Sequence, residues 1–278
     1  MKYIVDNDMH IHSYLSLCAA DKEQTAERIL QYAKENGLTT ICVTDHLWDE
    51  KVKINGVEAH RDFYIGYLKQ DFPHVSEILP LPKEKALESG IRFLFGCETE
   101  LDFALTVGLS KERMDEFDFI IIPTTHLHML KYTLTPEQFE NAENRAKAWV
   151  ERLDAVLNMD LPFHKIGLAH LSCSLIGRNK QEFFDVMRLL PDNEMKRLFE
   201  KAAELGVGIE IHGSTLHYCE TKEETELALR PFRIAKQCGC KFYLGSDAHR
   251  PHEFKGAKER FEQLIDLLEL TEDDKFII

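Results

Sequence analysis

Histidines and acidic residues recur in short clusters along this chain of 278 residues, and each cluster stands at or just past the end of a short apolar run. In extended backbone, residues two apart point to the same side, so His10 and His12 can bind one ion together, and Asp247 and His249 repeat this spacing. Imidazole nitrogens combined with a few carboxylates suit zinc, iron or manganese. The clusters are Asp8-Met9-His10-Ile11-His12, Thr44-Asp45-His46, Gly96-Cys97-Glu98, Thr124-Thr125-His126-Leu127-His128, Ala169-His170, Glu210-Ile211-His212 and Gly245-Ser246-Asp247-Ala248-His249.

A carboxylate has two oxygens, and Glu98 can therefore bridge two ions. Two bridged ions about 3.5–4 Å apart hold both the attacking and the leaving oxygen of a phosphoryl displacement. Hydrolysis of a phosphate ester is therefore the chemistry that these residues favour. By their alternation with the apolar runs, His128 and His212 point to the same rim, where we expect them to support ligands or to be merely polar residues rather than to bind a metal.

Four further residues are candidates for roles around the ions. Asp45 and Asp247 are candidates to orient a ligand histidine or to take a proton. Arg178 and Arg250 each follow one of the histidine clusters and are candidates to bind the phosphate of a substrate. A guanidinium group suits this role because it can donate to two phosphate oxygens at once.

The apolar runs that precede the clusters number seven and alternate with amphipathic segments. The runs cover residues 3–5, 39–44, 92–96, 117–123, 165–169, 207–211 and 241–245, and the helix-like segments cover 23–36, 136–157, 193–205, 220–237 and 257–270. Strands alternating with helices predict βαβ units and a parallel sheet. A nearly closed barrel is the first choice and two doubly wound halves are the second. In a barrel, the clusters meet at the C-terminal ends of the strands.

The chain is predicted to form one domain over residues 1–278. Residues of about 47–90 are too many for one connection between a strand and a helix, and they include several aromatic side chains. Long segments that follow strands build the active sites of βα barrels. This stretch is therefore predicted to be a lid-like insertion over one end of the barrel.

The composition excludes several classes of function. The chain has 34 basic and 48 acidic residues, a net charge of −14, which argues against binding to duplex nucleic acid or to a membrane surface. No apolar run approaches membrane-spanning length, and the N-terminal residues lack the apolar core of a signal peptide. The seven cysteines are scattered without CxxC spacing. Reduced thiols and a cytoplasmic location are therefore expected.

In their order along residues 8–249, the clusters resemble the successive motifs of the polymerase-and-histidinol-phosphatase (PHP) metallophosphoesterases. The resemblance implies a distorted (β/α)7 TIM-like barrel that holds two or three divalent ions, with zinc, iron and manganese all open as identities. The ligand sets it implies are His10, His12, Glu98 and Asp247 for a first ion, Glu98, His126 and His170 for a second, and His46 with His249 for a third.

The sequence departs from the usual motifs of this family at several positions. Where a full third site usually has a histidine, this sequence has Cys18, which is a candidate thiolate ligand, and nearby Asp21 is the alternative. The usual Ser-Val-His reads Thr124-Thr125-His126, and the motif around His170 lacks its Asp. These differences indicate a divergent subgroup that keeps the site.

The length and the lack of additional modules resemble the histidinol-phosphatase branch of the family. The resemblance therefore implies a metal-dependent phosphomonoesterase acting on a small phosphorylated metabolite, with histidinol phosphate as the best single substrate. Two alternatives remain open. One is a phosphodiesterase or exonuclease acting on short oligonucleotides or nucleotides, and the other is a metal-binding regulatory protein without turnover.

Overall fold

The computed structural model describes residues 1–18, 21–55, 69–78 and 89–278. Within these residues, one parallel sheet of eight strands runs in the order β1-β2-β4-β5-β6-β7-β8, and the two-residue strand β3 pairs with β4 beside this path. The strands are β1 Asn7–Ile11, β2 Thr40–Val43, β3 His46–Leu47, β4 Arg92–Thr99, β5 Phe119–Ile122, β6 Ile166–Leu168, β7 Gly208–His212 and β8 Lys241–Gly245.

The first and last strands of this path meet and nearly close the sheet into a barrel. The backbone N–H of Asp247 donates to the carbonyl of His10 at 2.8 Å, and that of His12 donates to the carbonyl of Ala248 at 3.0 Å. These bonds lie at the carboxyl end of β1 and just past β8. The predicted (β/α)7 barrel is confirmed, and the alternative of two doubly wound halves is excluded.

Side chains replace part of the backbone ladder at this closing seam, which makes the barrel distorted. Asn7 accepts a hydrogen bond from the backbone N–H of Leu244 at 3.3 Å, and Asp8 accepts one from Ser246 at 3.0 Å. Both acceptors lie on β1 and are buried. Because an unpaired buried N–H is costly, these side chains complete the hydrogen bonding where the two strands diverge.

Helices surround the sheet and begin where the sequence places capping residues. Thr25, Asn141, Asn179 and Thr221 each accept a backbone N–H of the first turn. The predicted helix over residues 136–157 is two helices, because Asn141 starts a new one, and residues 180–189 form a helix that the patterning did not separate. The helices are α1 Ala26–Asn36, α2 Phe72–Val75, α3 Lys111–Met114, α4 Pro136–Phe139, α5 Ala142–Leu157, α6 Lys180–Leu189, α7 Asp192–Leu205, α8 Lys222–Gln237 and α9 Ala257–Leu268.

The first strand differs from its predicted position at residues 3–5. Tyr3 and Val5 are buried, but Tyr3 donates its hydroxyl to the carbonyl of Phe242 and lies outside the regular strands. The strand is the polar stretch Asn7–Ile11 instead. Strand propensity favoured the aromatic and β-branched residues, whereas the structure buries polar ones because this strand carries the functional cluster.

A small apolar cluster fills the barrel below the site. It consists of Met9, Cys42, Leu94, Phe119, Ile121, Ala169 and Tyr243, with Phe276 and Ile278 of the C-terminal segment packed against it. A larger apolar layer lies between the strands and the surrounding helices. His10, Glu98 and His212 lie in the carboxyl-terminal halves of their strands, at the end of the barrel where βα barrels build their active sites.

The insertion predicted at about 47–90 is described in part. Residues 56–68 and 79–88, where most of the predicted lid falls, lie outside the described residues. Gln70 accepts a hydrogen bond from the backbone N–H of Leu17 at 2.7 Å, and its carbonyl accepts one from Trp48. These bonds anchor the insertion beside the loop after β1. In the described parts of the chain, no helix combines the length and apolarity of a bilayer crossing.

Candidate metal centre

The clusters that are scattered in the sequence converge at the carboxyl ends of the strands. Three groups of side chains could each hold a metal ion, because within each group the ligand atoms lie within 4.8 Å of one another. Adjacent strands bring these residues together, since His46 on β3 is the register partner of Glu98 on β4. Among the described residues, the groups are His10, Glu98, His170 and Asp247; His12, His46 and His249; and His170, Glu210 and His212.

Glu98 lies at the centre, and its two oxygens face different histidines. Oε1 is 3.1 Å from Nε2 of His170 and 3.8 Å from Nε2 of His126. Oε2 is 3.5 Å from Nε2 of His10 and 3.4 Å from Nε2 of His12. The side chain is almost completely buried. This geometry is that of a carboxylate placed to bridge two positions, one on each of its oxygens.

Asp247 completes the position beside His10 and His12. Its Oδ1 is 3.1 Å from Nε2 of His12 and 3.4 Å from Nε2 of His10, and those two nitrogens are 3.1 Å apart. Asp247 Oδ1 and Glu98 Oε2 are both buried and accept no well-formed hydrogen bond from the described residues, although Nδ1 of His46 lies 2.9 Å from Glu98 Oε2. Buried acceptors are ordinarily satisfied. Two such oxygens facing two imidazole nitrogens fit a divalent cation between them.

A third group of imidazoles lies on the outer side of this position. The ring of His249 stacks on that of His12 with centroids 4.0 Å apart, and the ring of His46 lies 4.4 Å from that of His12. Burial would raise the pKa of the Cys18 thiol, but the imidazoles of His46 and His249 lower it to about 5. Cys18 thus lies close to His46 and His249, whereas Asp21 accepts the backbone N–H of Glu23.

The charges of the centre shift the pKa values of its members strongly. Burial alone would lower the pKa of His10, but the carboxylates of Glu210, Asp247 and Glu98 raise it well above its ordinary value. Burial would raise the pKa of Glu98, yet His46 and His10 hold it well below its usual range. His10 and the carboxylates around it therefore favour one another's charged forms.

Two of the inner histidines have a carboxylate partner on Nδ1, whereas Nδ1 of His170 neither accepts nor donates a hydrogen bond among the described residues. Nδ1 of His10 is 2.6 Å from Glu210 Oε1, and Nδ1 of His126 is 2.7 Å from Glu100 Oε1. Such partners orient the ring and leave Nε2 for a metal. Glu100 was not among the sequence candidates. Its position two residues after Glu98, on the same face of an extended segment, is the signal that could have identified it.

Asp45 reaches the centre through serines rather than directly. Its carboxylate accepts hydrogen bonds from the backbone and hydroxyl of Ser13 and from the hydroxyl of Ser16, all within 2.7 Å. The Ser16 oxygen also accepts the backbone N–H of His46 and lies 2.9 Å from Nδ1 of His12. Since the Ser16 proton goes to Asp45, Nδ1 of His12 must be the donor. This arrangement leaves Nε2 of His12 free to bind a cation.

Two residues of the centre have left-handed backbone conformations. His170 has φ of 63° and Asp247 has φ of 53°. This region costs a residue with a Cβ about 1–3 kcal/mol, and such strain is concentrated at functional sites. The backbone N–H of His170 donates to Glu210 Oε2 at 2.9 Å, and that of Asp247 donates to the carbonyl of His10. Hydrogen bonds therefore hold both strained residues in place.

The two arginines proposed from the sequence have different surroundings. Arg250 lines an open polar cavity of about 490 Å³ next to Asp247, and its Nη1 is 3.1 Å from Glu253. Arg178 is half exposed and forms a two-pronged ion pair with Glu182, with its Nη2 at 2.7 Å from Oε1. Among the described residues, the remaining lining of the cavity is Cys18, Ser214, Ser246, His249, His252, Glu253, Lys255 and Arg260.

The family follows from comparison with known proteins. The model of the PHP domain matches residues 8–214. The chain belongs to the PHP family. This PHP protein is accordingly a metal-dependent phosphoesterase. Asp247 and His249 come after the matched residues, and the closing of the barrel brings them to the histidines of β1.

Two solved structures are similar to this PHP protein over most of its length. One is the histidinol phosphate phosphatase HISK from Lactococcus lactis subsp. lactis Il1403, with 16% identity, a TM-score of 0.63, and coverage of 98% of this chain and 99% of that chain. The other is a candidate histidinol phosphatase, hisK from Listeria monocytogenes, with 16% identity, a TM-score of 0.60, and coverage of 89% and 96%. At this identity the similarity shows the fold. Comparison with curated protein sequences found no match.

Proposed function

We propose that this protein is a metal-dependent phosphomonoesterase that releases phosphate from a small phosphorylated metabolite, with histidinol phosphate as the substrate. The observation that carries the proposal is Glu98, whose oxygens face His10 and His12 on one side and His126 and His170 on the other. A pair of bridged cations is suited to phosphoryl displacement. The L. lactis relative was solved with zinc, L-histidinol and phosphate, which supports this choice of substrate.

The number and identity of the ions form part of the proposal. Two ions would bind with Glu98 between them, and a third would bind at His46 and His249 with Cys18 as a further ligand. Zinc, iron or manganese suits this nitrogen-rich set of donors. When bound, the ions supply positive charge for the phosphate and lower the pKa of a bound water. The first ion would use His10, His12, Glu98 and Asp247, and the second Glu98, His126 and His170.

The residues around the ions would position the substrate and the ligands. Arg250 would bind the phosphate, because it lines the cavity beside Asp247. Arg250 pairs with Glu253 and Arg178 with Glu182, so Arg250 is the stronger choice because it lines the cavity. Asp45 would orient His12 through Ser16. Of the two roles open to Asp45, the three hydrogen bonds it accepts favour this one.

The test uses protein stripped of metal and reloaded separately with Zn²⁺, Mn²⁺ or Fe²⁺. Phosphate release is measured on a panel of monoesters that includes histidinol phosphate. Asp247→Asn is expected to reduce the rate at least 100-fold, whereas Asp185→Asn, a change of an exposed acid, leaves the rate unchanged. The proposal would be overturned if the protein released phosphate from none of the monoesters with any of the three metals.

The same assay separates the two alternatives. Release of mononucleotides from a short oligonucleotide, without phosphate from monoesters, would assign a phosphodiesterase. Metal binding without either activity would assign a regulatory metal-binding protein.

We further propose a single domain over residues 1–278 with the insertion at about 47–90 over the site. A cytoplasmic location is proposed as well, and it is supported by seven free cysteines.

A further inference from the structure

Glu210 is a fully buried acid on β7 that contacts two of the proposed ligands at once. Its Oε1 is 2.6 Å from Nδ1 of His10, on β1, and its Oε2 accepts the backbone N–H of His170 at 2.9 Å. His10 belongs to the proposed first metal position and His170 to the second. One carboxylate therefore touches both positions from beneath, without itself being one of the ligands that the resemblance implies.

We propose that Glu210 is a positioning residue that couples the two metal positions, so that both are formed or lost together. The inference rests on the metal centre of the proposed function. It adds that a buried carboxylate, besides the bridging Glu98, links the two positions by contacting the ring of one ligand and the backbone of the other.

The two contacts act on the ligands in different ways. Nδ1 of His10 donates to Glu210, so Nε2 keeps its lone pair and faces Glu98 and Asp247 at 3.5 and 3.4 Å. His170 has the disfavoured φ of 63°, and the bond from its N–H to Glu210 holds that conformation while its Nε2 lies 3.1 Å from Glu98. Loss of the carboxylate would free the ring of one ligand and the backbone of the other.

A glycine on the neighbouring strand makes room for this carboxylate. A Cβ atom at Gly245 would overlap Glu210 Oε1 and lie 2.8 Å from Cβ of His10. Glu210 and Gly245 lie on the adjacent strands β7 and β8, whose pairing fixes their proximity. A side chain at position 245 would therefore displace the pair formed by Glu210 and His10. This packing is independent of the hydrogen bonds and indicates the same contact.

Glu100 provides the matched control. It is also a buried acid that holds a ligand histidine, with its Oε1 at 2.7 Å from Nδ1 of His126. Among the proposed ligands, Glu100 contacts His126. His126 belongs to the second position alone. Removing this carboxylate is therefore expected to weaken one metal position rather than two.

The experiment measures metal binding in the absence of substrate. Wild type, Glu210→Gln and Glu100→Gln are stripped of metal, checked for folding by circular dichroism, and titrated with Zn²⁺ and with Mn²⁺ by calorimetry, with metal content measured after gel filtration. Glu210→Gln is expected to weaken both of the inner positions by about 10–100-fold, and Glu100→Gln only one of them.

Gly245→Ala is a second variant that keeps the carboxylate but displaces it. Its matched control is Gly213→Ala, where the added Cβ would meet no atom closer than 3.7 Å. The first is expected to weaken both positions, and the second to bind metal as wild type does. If Glu210→Gln does not fold, this pair of variants decides the question.

Two results would overturn the inference. One is a folded Glu210→Gln or Gly245→Ala protein that binds both ions as tightly as wild type. The other is loss of a single position, as in Glu100→Gln, which would show that Glu210 supports one ion only. Failure of the proposed function would be distinguishable, since wild type would then bind two ions and release no phosphate, and the coupling measured by titration would stand.

Discussion

Arg152 provides a test of how the loops around the second metal position are held. Its guanidinium is fully buried on α5 and donates at 2.7 Å to the carbonyls of Leu101, Thr124 and Thr133, with a longer bond of 3.3 Å to Asp102. These carbonyls lie on the segments that follow β4 and β5. One side chain thus ties together the two segments that carry the Glu100–His126 pair.

The cost of replacing Arg152 by Met can be worked out from these contacts. Hydrogen bonds to a charged group contribute about 1.5–3 kcal/mol each, so four of them contribute at least about 6 kcal/mol. Burial lowers the pKa of Arg152 to about 10, which corresponds to a cost of roughly 3 kcal/mol for keeping the cation inside. We therefore expect Arg152→Met to lower the free energy of unfolding by about 3 kcal/mol.

The assay is urea unfolding followed by circular dichroism at pH 7 with a chelator present, so that bound metal adds nothing to the stability. Arg233→Met is the control, because Arg233 pairs with Glu226 on the surface and such pairs contribute at most about 1 kcal/mol. Arg152→Lys is expected to fall between the two, since an ammonium cannot reach all four carbonyls. A loss for Arg152→Met no larger than that for Arg233→Met would refute the reasoning.

Three further predictions concern the centre itself. A chelator is expected to lower the melting temperature, because an ion bound only by the folded state adds about 2.7 kcal/mol to the free energy of unfolding at 100 times its Kd. A melting temperature that does not change when Zn²⁺ or Mn²⁺ is added back would contradict a metal centre. Burial lowers the pKa of His249, but the carboxylate of Asp247 raises it, and the outcome is a pKa of about 9. Metal binding at His46 and His249 must displace that proton, so the affinity of this third position should rise with pH up to about pH 9. Calorimetry in two buffers would detect the released proton, and an affinity that stays constant above pH 7 would contradict metal binding by His249. Arg250→Met is expected to raise KM about 10–100-fold and Arg178→Met less than twofold, and equal effects would contradict the placement of the phosphate.

Much of the fold could be predicted because local sequence patterns indicate where the strands and helices of the barrel lie. Apolar runs located six of the seven main strands, and each of the five amphipathic segments contains a helix. The position predicted for the first strand was wrong. The strand consists largely of buried polar residues that serve the site, and strand propensity does not favour such residues. The helix Lys180–Leu189 falls outside the five amphipathic segments identified from the sequence.

The supporting residues of the centre were harder to predict than the ligands. His10 and His12 are recognisable from a spacing of two, whereas the partner of His10 is 200 residues away at Glu210. Ser16 and Glu100 belong to ordinary residue types with no distinctive spacing. Their roles depend on which atom faces which, and periodicity does not carry that information.

The sequence by itself determined the types of ligand, their order along the chain and the alternation of strands and helices that brings them to one rim. These properties are local, since each depends on a few neighbouring residues and on the period of the backbone. Only the tertiary structure decided that the two oxygens of Glu98 face different histidines, that Arg250 lines the cavity beside Asp247 whereas Arg178 pairs with Glu182, and that Glu210 contacts His10 and His170 together. Those facts depend on the closing of the barrel, which places residues from opposite ends of the chain in contact.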